Sequence, residues 1–129
     1  MEPINDRVTH VGDLTAAVEA FYTARNWRRF HSPKNLAMAI AVEAAELMEL
    51  FQWMDTDEAA AQAQSGPLRE RLGEELADVL IYGLTLASTL DLDISTLVTR
   101  KMQVNERKYP VGAAPRLYPG APMQDDTGS

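Results

Sequence analysis

Cysteine is absent, histidine occurs twice, and aromatic residues make up only 7% of the 129 positions. Without thiols there are no disulfides, no thiolate zinc sites and no cysteine nucleophile, a pattern that fits a reducing compartment. Long apolar runs are missing too. None approaches the ~18 residues of a membrane span, and the opening Met1 to Arg7 lacks the basic and apolar regions of a secretory leader. The expectation is an intracellular, cytoplasmic chain. Basic residues are also scarce, with 12 Lys and Arg against 19 Asp and Glu, a net charge of −7 and a pI of about 4.7. Binding a nucleic-acid polymer needs a basic face that displaces counterions, so such a partner is not expected. What remains, 46% hydrophobic and 24% charged, is the composition of one globular domain with a sizeable core.

Turn signals divide the chain into helical segments, and no strand-like alternation competes with them. A first helix is expected after Asp13 as N-cap, running to about Asn26 with Leu14, Ala17, Val18, Phe21 and Tyr22 at helical spacing. Ser32 followed by Pro33 is a strong start signal for a second helix, from about Lys34 to Met54, because proline's missing donor costs nothing there. Asp55 to Ser65 reads as a loop or weak helix, closed by Gly66-Pro67. A third helix is expected over about Leu68 to Leu90, and a fourth over about Ile94 to Lys108 with Asp93 as its N-cap. Tyr109-Pro110 stops it, so residues 1–110 form the expected domain and residues 111–129 a Pro- and Gly-rich tail. The fold class is therefore all-α, a four-helix bundle. Its second and third helices are apolar nearly all round, which four helices in one copy do not fully cover, and self-association is expected to cover the rest. In the tail, Leu117, Tyr118 and Met123 are apolar enough to dock on a neighbouring subunit.

The acid is unevenly placed. Between Leu36 and Met54 the only charges are Glu43, Glu46 and Glu49, and Glu75 and Asp78 repeat the three-residue spacing of Glu43 and Glu46 on the third helix. At ~100° per residue, each pair lies on one helical face. Tyr82 and Thr85 continue the Glu75–Asp78 face as a polar stripe. If the two helices face each other, four carboxylates converge in low dielectric and need protonation or a counter-charge. Hard oxygen ligands match Mg²⁺, with Mn²⁺ as the alternative, better than zinc. Redox iron in helix bundles uses a Glu-x-x-His motif, and neither His10 nor His31 has that spacing. Such an ion leaves positions for substrate phosphates. Lys101, Asn105 and Lys108 fall at i, i+4 and i+7 on the fourth helix, where two cations and an amide complement a polyphosphate. Trp27, Phe30 and Trp53 stand at helix ends, where a flat base can stack.

These residues resemble the MazG-type all-α nucleoside triphosphate pyrophosphohydrolases, and within them the small single-domain dCTP pyrophosphatases. The resemblance runs from about Ala20 to Pro110. It rests on Glu43-Ala-Ala-Glu46 leading into Leu47 to Trp53, on Glu74-Glu-Leu-Ala-Asp78-Val-Leu-Ile-Tyr82, on Lys101 with Asn105 through Lys108-Tyr109-Pro110, and on the run Arg25 to Asn35. It implies Mg²⁺-dependent hydrolysis of a nucleoside triphosphate, dCTP or a modified dNTP, to the monophosphate and pyrophosphate, in the service of nucleotide-pool sanitation. It implies Glu43, Glu46, Glu75 and Asp78 as metal ligands, and a pocket lined by Trp27, Arg28, Arg29, Phe30, His31 and Trp53. Tyr82, Lys101 and Asn105 are implied to meet the nucleotide or its phosphates. Lys101 and Lys108 would share the phosphate charge, and Glu46 would orient or deprotonate the attacking water. A homodimer, or a dimer-of-dimers tetramer, is implied as well. One position departs from the pattern: the eukaryotic dCTP pyrophosphatases carry a base-contacting histidine nine residues before the tryptophan, where this chain has Val18. The base preference therefore stays open, with dUTP, a phosphoribosyl-ATP intermediate or a damaged nucleotide as other substrates. A non-enzymatic helical dimerisation module is the reading from a different class.

Overall fold

The computed structural model describes residues 3–112, and every described element is helical. Compact units divide after Ile94. The first contains α1 (Val11–Ala24), a 3₁₀ turn (Arg28–Phe30), α2 (Pro33–Glu49), α3 (Thr56–Gln62) and α4 (Gly66–Thr89). The second carries α5 (Ile94–Lys108). The tail beyond residue 112, with the expected docking of Leu117, Tyr118 and Met123, lies outside the described residues.

Local chemistry explains most of the boundaries. Ser32 Oγ accepts from the Asn35 amide at 3.1 Å, and Pro33 occupies the first turn, so α2 begins where the sequence signals it. α5 spans the expected Ile94–Lys108. Asn26 and Asp91, just past α1 and α4, take φ of 55° and 54°, the left-handed conformation that ends helices and that Asn and Asp tolerate best among residues with a side chain.

Two expectations need correction, and a third, left open between loop and weak helix, is resolved. α1 starts at Val11 with His10 as N-cap; Asp13 sits at the third helical position, where its Oδ2 accepts from the His10 amide at 2.9 Å. α2 ends at Glu49 rather than Met54, because the backbone tightens into i→i+3 turns, Phe51 N–H to Met48 and Gln52 N–H to Glu49. The segment after Asp55 contains a helix, α3, which Asp55 caps by accepting from the Glu58 amide at 2.8 Å, so the described residues hold five α-helices rather than four.

In the first unit α2 packs mainly on α4, and α1 also packs on α4. On α2 the inward positions are Leu36, Ile40, Glu43, Leu47 and Leu50; on α4 they include Leu68, Leu72, Glu75, Val79 and Tyr82. Alternating steps of four and three residues form the seam of two closely packed helices. A glutamate takes one place in each seam. Tyr22, Leu36, Ala87 and Thr85 are the fully buried side chains among the described residues. The opposite faces stay open: Met38, Val42 and Met48 on α2 and Leu76 and Leu80 on α4 are exposed. No single described helix is long and apolar enough to cross a membrane.

Candidate metal centre

Because Glu43 and Glu75 occupy seam positions, helix packing itself drives their carboxylates together. One carboxylate oxygen each from Glu43, Glu75 and Asp78 lie within 4.8 Å of one another. Glu43 Oε2 and Glu75 Oε2 are shielded from solvent and have no hydrogen-bond partner. A desolvated charge without a counter-charge costs several kcal/mol after relaxation, so such a site takes up protons or a cation. The direction of titration agrees. Glu43 is pushed up to about 7, first by burial and then by the adjoining Glu46 carboxylate, with Asp78 and Glu75 adding to it. Glu75 is raised by the same causes, burial first and then Glu46 and Asp78. Three hard oxygen donors with two unsatisfied oxygen atoms fit a divalent metal ion. Glu46, the fourth expected ligand, is exposed and outside this triad, yet close enough to Glu43 and Glu75 to raise both.

Beside the carboxylates lies a cavity of about 440 Å³ that reaches Glu43 and Asp78 and is walled by Phe21, Tyr22, Trp27 and Tyr82. Phe21 and Trp27 meet edge to face with centroids 5.7 Å apart, and Tyr22 meets His31 in the same way at 4.3 Å. Burial, then the nearby Tyr22, raises the Tyr82 phenol, so it remains a neutral hydroxyl near pH 7. Burial, then Arg28, lowers His31, which favours the neutral imidazole. A second cavity of about 390 Å³ brings Phe30 to Trp27, His31 and Tyr82. The chain is held there by Asn35, whose side-chain amide donates to the Phe30 carbonyl at 3.2 Å.

The remaining expected residues are placed differently. Trp53, 88% exposed, borders another cavity of about 510 Å³ with Glu46, Glu75 and Arg71, apart from the cavities that Trp27 lines. Arg29 stacks its guanidinium 4.6 Å from the Phe30 ring centroid. Arg28 lines a fourth cavity of about 250 Å³ between α1 and α4. Lys101, Asn105 and Lys108 share α5 at the expected spacing, in the second unit.

Sequence reasoning passed over Arg71, which stands four residues before Glu75 on α4, a spacing that marks it as a neighbour. It also passed over Glu19 and Ser88. These line the α1–α4 cavity, where the Ser88 hydroxyl donates to Glu19 Oε1. They are 69 residues apart in sequence, so no local spacing signals the pair.

The chain is also similar to known proteins. Residues 38–117 match the model of the MazG-like family. The chain is 45% identical over 99 residues to dCTP pyrophosphatase 1 of Bos taurus, covering 77% of this chain and 59% of the relative. It is 44% identical over 102 residues to dCTP pyrophosphatase 1 of Homo sapiens, covering 79% and 60%. The matched region thus spans well under two thirds of these curated relatives. Among solved structures it is similar to a pyrophosphatase from Archaeoglobus fulgidus, with a TM-score of 0.73 and 39% identity, covering 84% of this chain and 99% of that one.

Proposed function

This chain belongs to the MazG-like family, and we propose that it hydrolyses a nucleoside triphosphate, dCTP or a modified dNTP, to the monophosphate and pyrophosphate. The observation that carries the proposal is the pair of shielded, unpartnered carboxylate oxygens of Glu43 and Glu75 beside Asp78, opening on a cavity with aromatic walls. The dCTP pyrophosphatases among its relatives and the pyrophosphatase among its structural neighbours support the substrate and the bond broken.

In this reading Glu43, Glu75 and Asp78 hold Mg²⁺ or Mn²⁺, with Glu46 completing the set. When bound, the cation neutralises triphosphate charge and makes water easier to deprotonate. Glu46, the most accessible of the four carboxylates by virtue of its exposed position, orients the attacking water and accepts its proton. The bridge between the α- and β-phosphorus breaks, the water oxygen ends on one of the two phosphorus atoms, and pyrophosphate leaves. Trp27, with Phe30 and His31 nearby, offers the ring face on which a base stacks. The neutral Tyr82 hydroxyl supplies a donor at the cavity wall. Lys101, Asn105 and Lys108 are proposed phosphate partners on the strength of charge, spacing and the family pattern. The exposed apolar faces of α2 and α4 support assembly into a dimer or a dimer-of-dimers tetramer. The role that follows is removal of unwanted nucleotides from the pool.

The test is product analysis. The full chain, given dCTP and Mg²⁺, is expected to yield dCMP and pyrophosphate in equal amounts. Formation of dCDP and phosphate, or no turnover of any common or modified dNTP, would overturn the proposal.

A further inference from the structure

The α1–α4 cavity adjoins the aromatic cavity, since Val18, Tyr22 and His31 line both. Their polar chemistry differs. In the smaller cavity the four aliphatic hydroxyls have already committed their protons. Thr15 donates to the Val11 carbonyl at 3.2 Å, Thr85 to Ile81 at 2.7 Å and Thr89 to Thr85 at 2.9 Å. Ser88 donates to Glu19 Oε1. A hydroxyl that has donated retains only lone pairs, and a carboxylate keeps acceptor capacity on both oxygens after one bond. Those four hydroxyls and Glu19 therefore present acceptors beside the donors of Tyr22, Arg28 and His31, and what complements Glu19, the strongest of the acceptors, is a ligand group that donates.

Position decides which part of a nucleotide arrives there. Asp78 marks the metal end, and at 1.5 Å per residue Ser88 lies ~15 Å further along the α4 axis. With the triphosphate at the carboxylates and the base beside Trp27 and Tyr22, the base edge is the part directed at Glu19. We propose that Glu19, positioned by Ser88, determines base specificity by accepting a hydrogen bond from the exocyclic amine of the nucleobase. The inference rests on the nucleotide reading of the site. It gives a polar base contact to a chain whose first helix has the apolar Val18 at the neighbouring position. A carbonyl in place of that amine would set two acceptors against each other, which disfavours a 4-oxo pyrimidine.

dCTP and dUTP differ at that group and at the adjoining N3, which is bare in cytosine and carries a proton in uracil, and their ratio of kcat/KM is the readout. The wild-type chain is expected to prefer dCTP by roughly 10- to 100-fold, the range of a hydrogen bond to a charged acceptor. Glu19→Gln, whose amide donates as well as accepts, should lower kcat/KM for dCTP and raise it for dUTP. Ser88→Ala should shift the ratio in the same direction by less. A wild-type chain that hydrolyses both equally well overturns the inference while leaving the pyrophosphohydrolase reading intact. So does a folded Glu19→Gln variant with an unchanged ratio. If the wild type hydrolyses no nucleoside triphosphate at all, the functional reading itself fails and takes the inference with it.

Discussion

Oxygen atoms line both the seam between α2 and α4 and the cavity between α1 and α4, but the fold treats them differently. In the seam, Glu43 Oε2 and Glu75 Oε2 are shielded and unpartnered. In the α1–α4 cavity, Thr15, Thr85, Thr89 and Ser88 each donate to an acceptor within the chain. The first region is incomplete without a proton or a cation. In the second those hydroxyls are satisfied and keep spare lone pairs, beside the donors of Tyr22, Arg28 and His31. One seam position in each helix is thus held by a carboxylate at a cost in stability, whereas in the hydroxyl-lined cavity the Ser88–Glu19 bond ties α4 to α1.

The sharpest way to break this contrast is in the seam. Asp78→Ala removes one triad oxygen donor and should reduce pyrophosphate release from dCTP by at least about a hundredfold, the scale set by losing one donor from an electrostatic clamp. Steady-state turnover at saturating Mg²⁺ checks it, and near-wild-type rates would mean the triad is not the centre of reaction. Glu43→Gln should separate stability from activity: turnover is lost, yet the metal-free melting temperature at pH 8 rises, because a desolvated charge and its repulsions are gone.

Proton linkage gives a third test. A carboxyl raised in the folded state stabilises the fold below its unfolded pKa, and that contribution is lost as pH rises through the folded value. Glu43 moves from 4.5 to about 7, and Glu75 is raised in the same sense. The metal-free melting temperature should therefore fall between pH 5 and pH 8, measured in EDTA. A curve that rises over that range would contradict the burial of these charges. The smallest effect belongs to the other region. Thr85→Val replaces a hydroxyl that bonds only within its own helix, and it should cost no more than about 1.5 kcal/mol by denaturant unfolding, with the metal response preserved.

Much of this architecture is legible in the sequence because the signals are local. Ser32-Pro33 starts α2, Tyr109-Pro110 follows the end of α5, and glutamates in apolar helices mark the seam. α3 is weakly written, since Ala and Gln give it no apolar stripe and only the Asp55 cap identifies its start. The end of α2 is obscured because Leu50, Phe51 and Trp53 continue an apolar pattern through a segment whose backbone has already turned. Which carboxylates meet depends on seam register: spacing alone treats Glu43 and Glu46 alike, but only Glu43 points inward with Glu75. The Glu19–Ser88 pair needs the packing of α1 on α4, which no local pattern carries.

The central claim is that the α2–α4 seam is built around a divalent cation, and thermal melting of the full chain at pH 8 in EDTA and in excess Mg²⁺ tests it most directly. A ligand that binds only the native state at a hundred times its Kd adds about 2.7 kcal/mol. Melting temperature should rise clearly with Mg²⁺ for the wild type and not at all for Asp78→Ala; superimposable wild-type curves would rule out a cation in the seam.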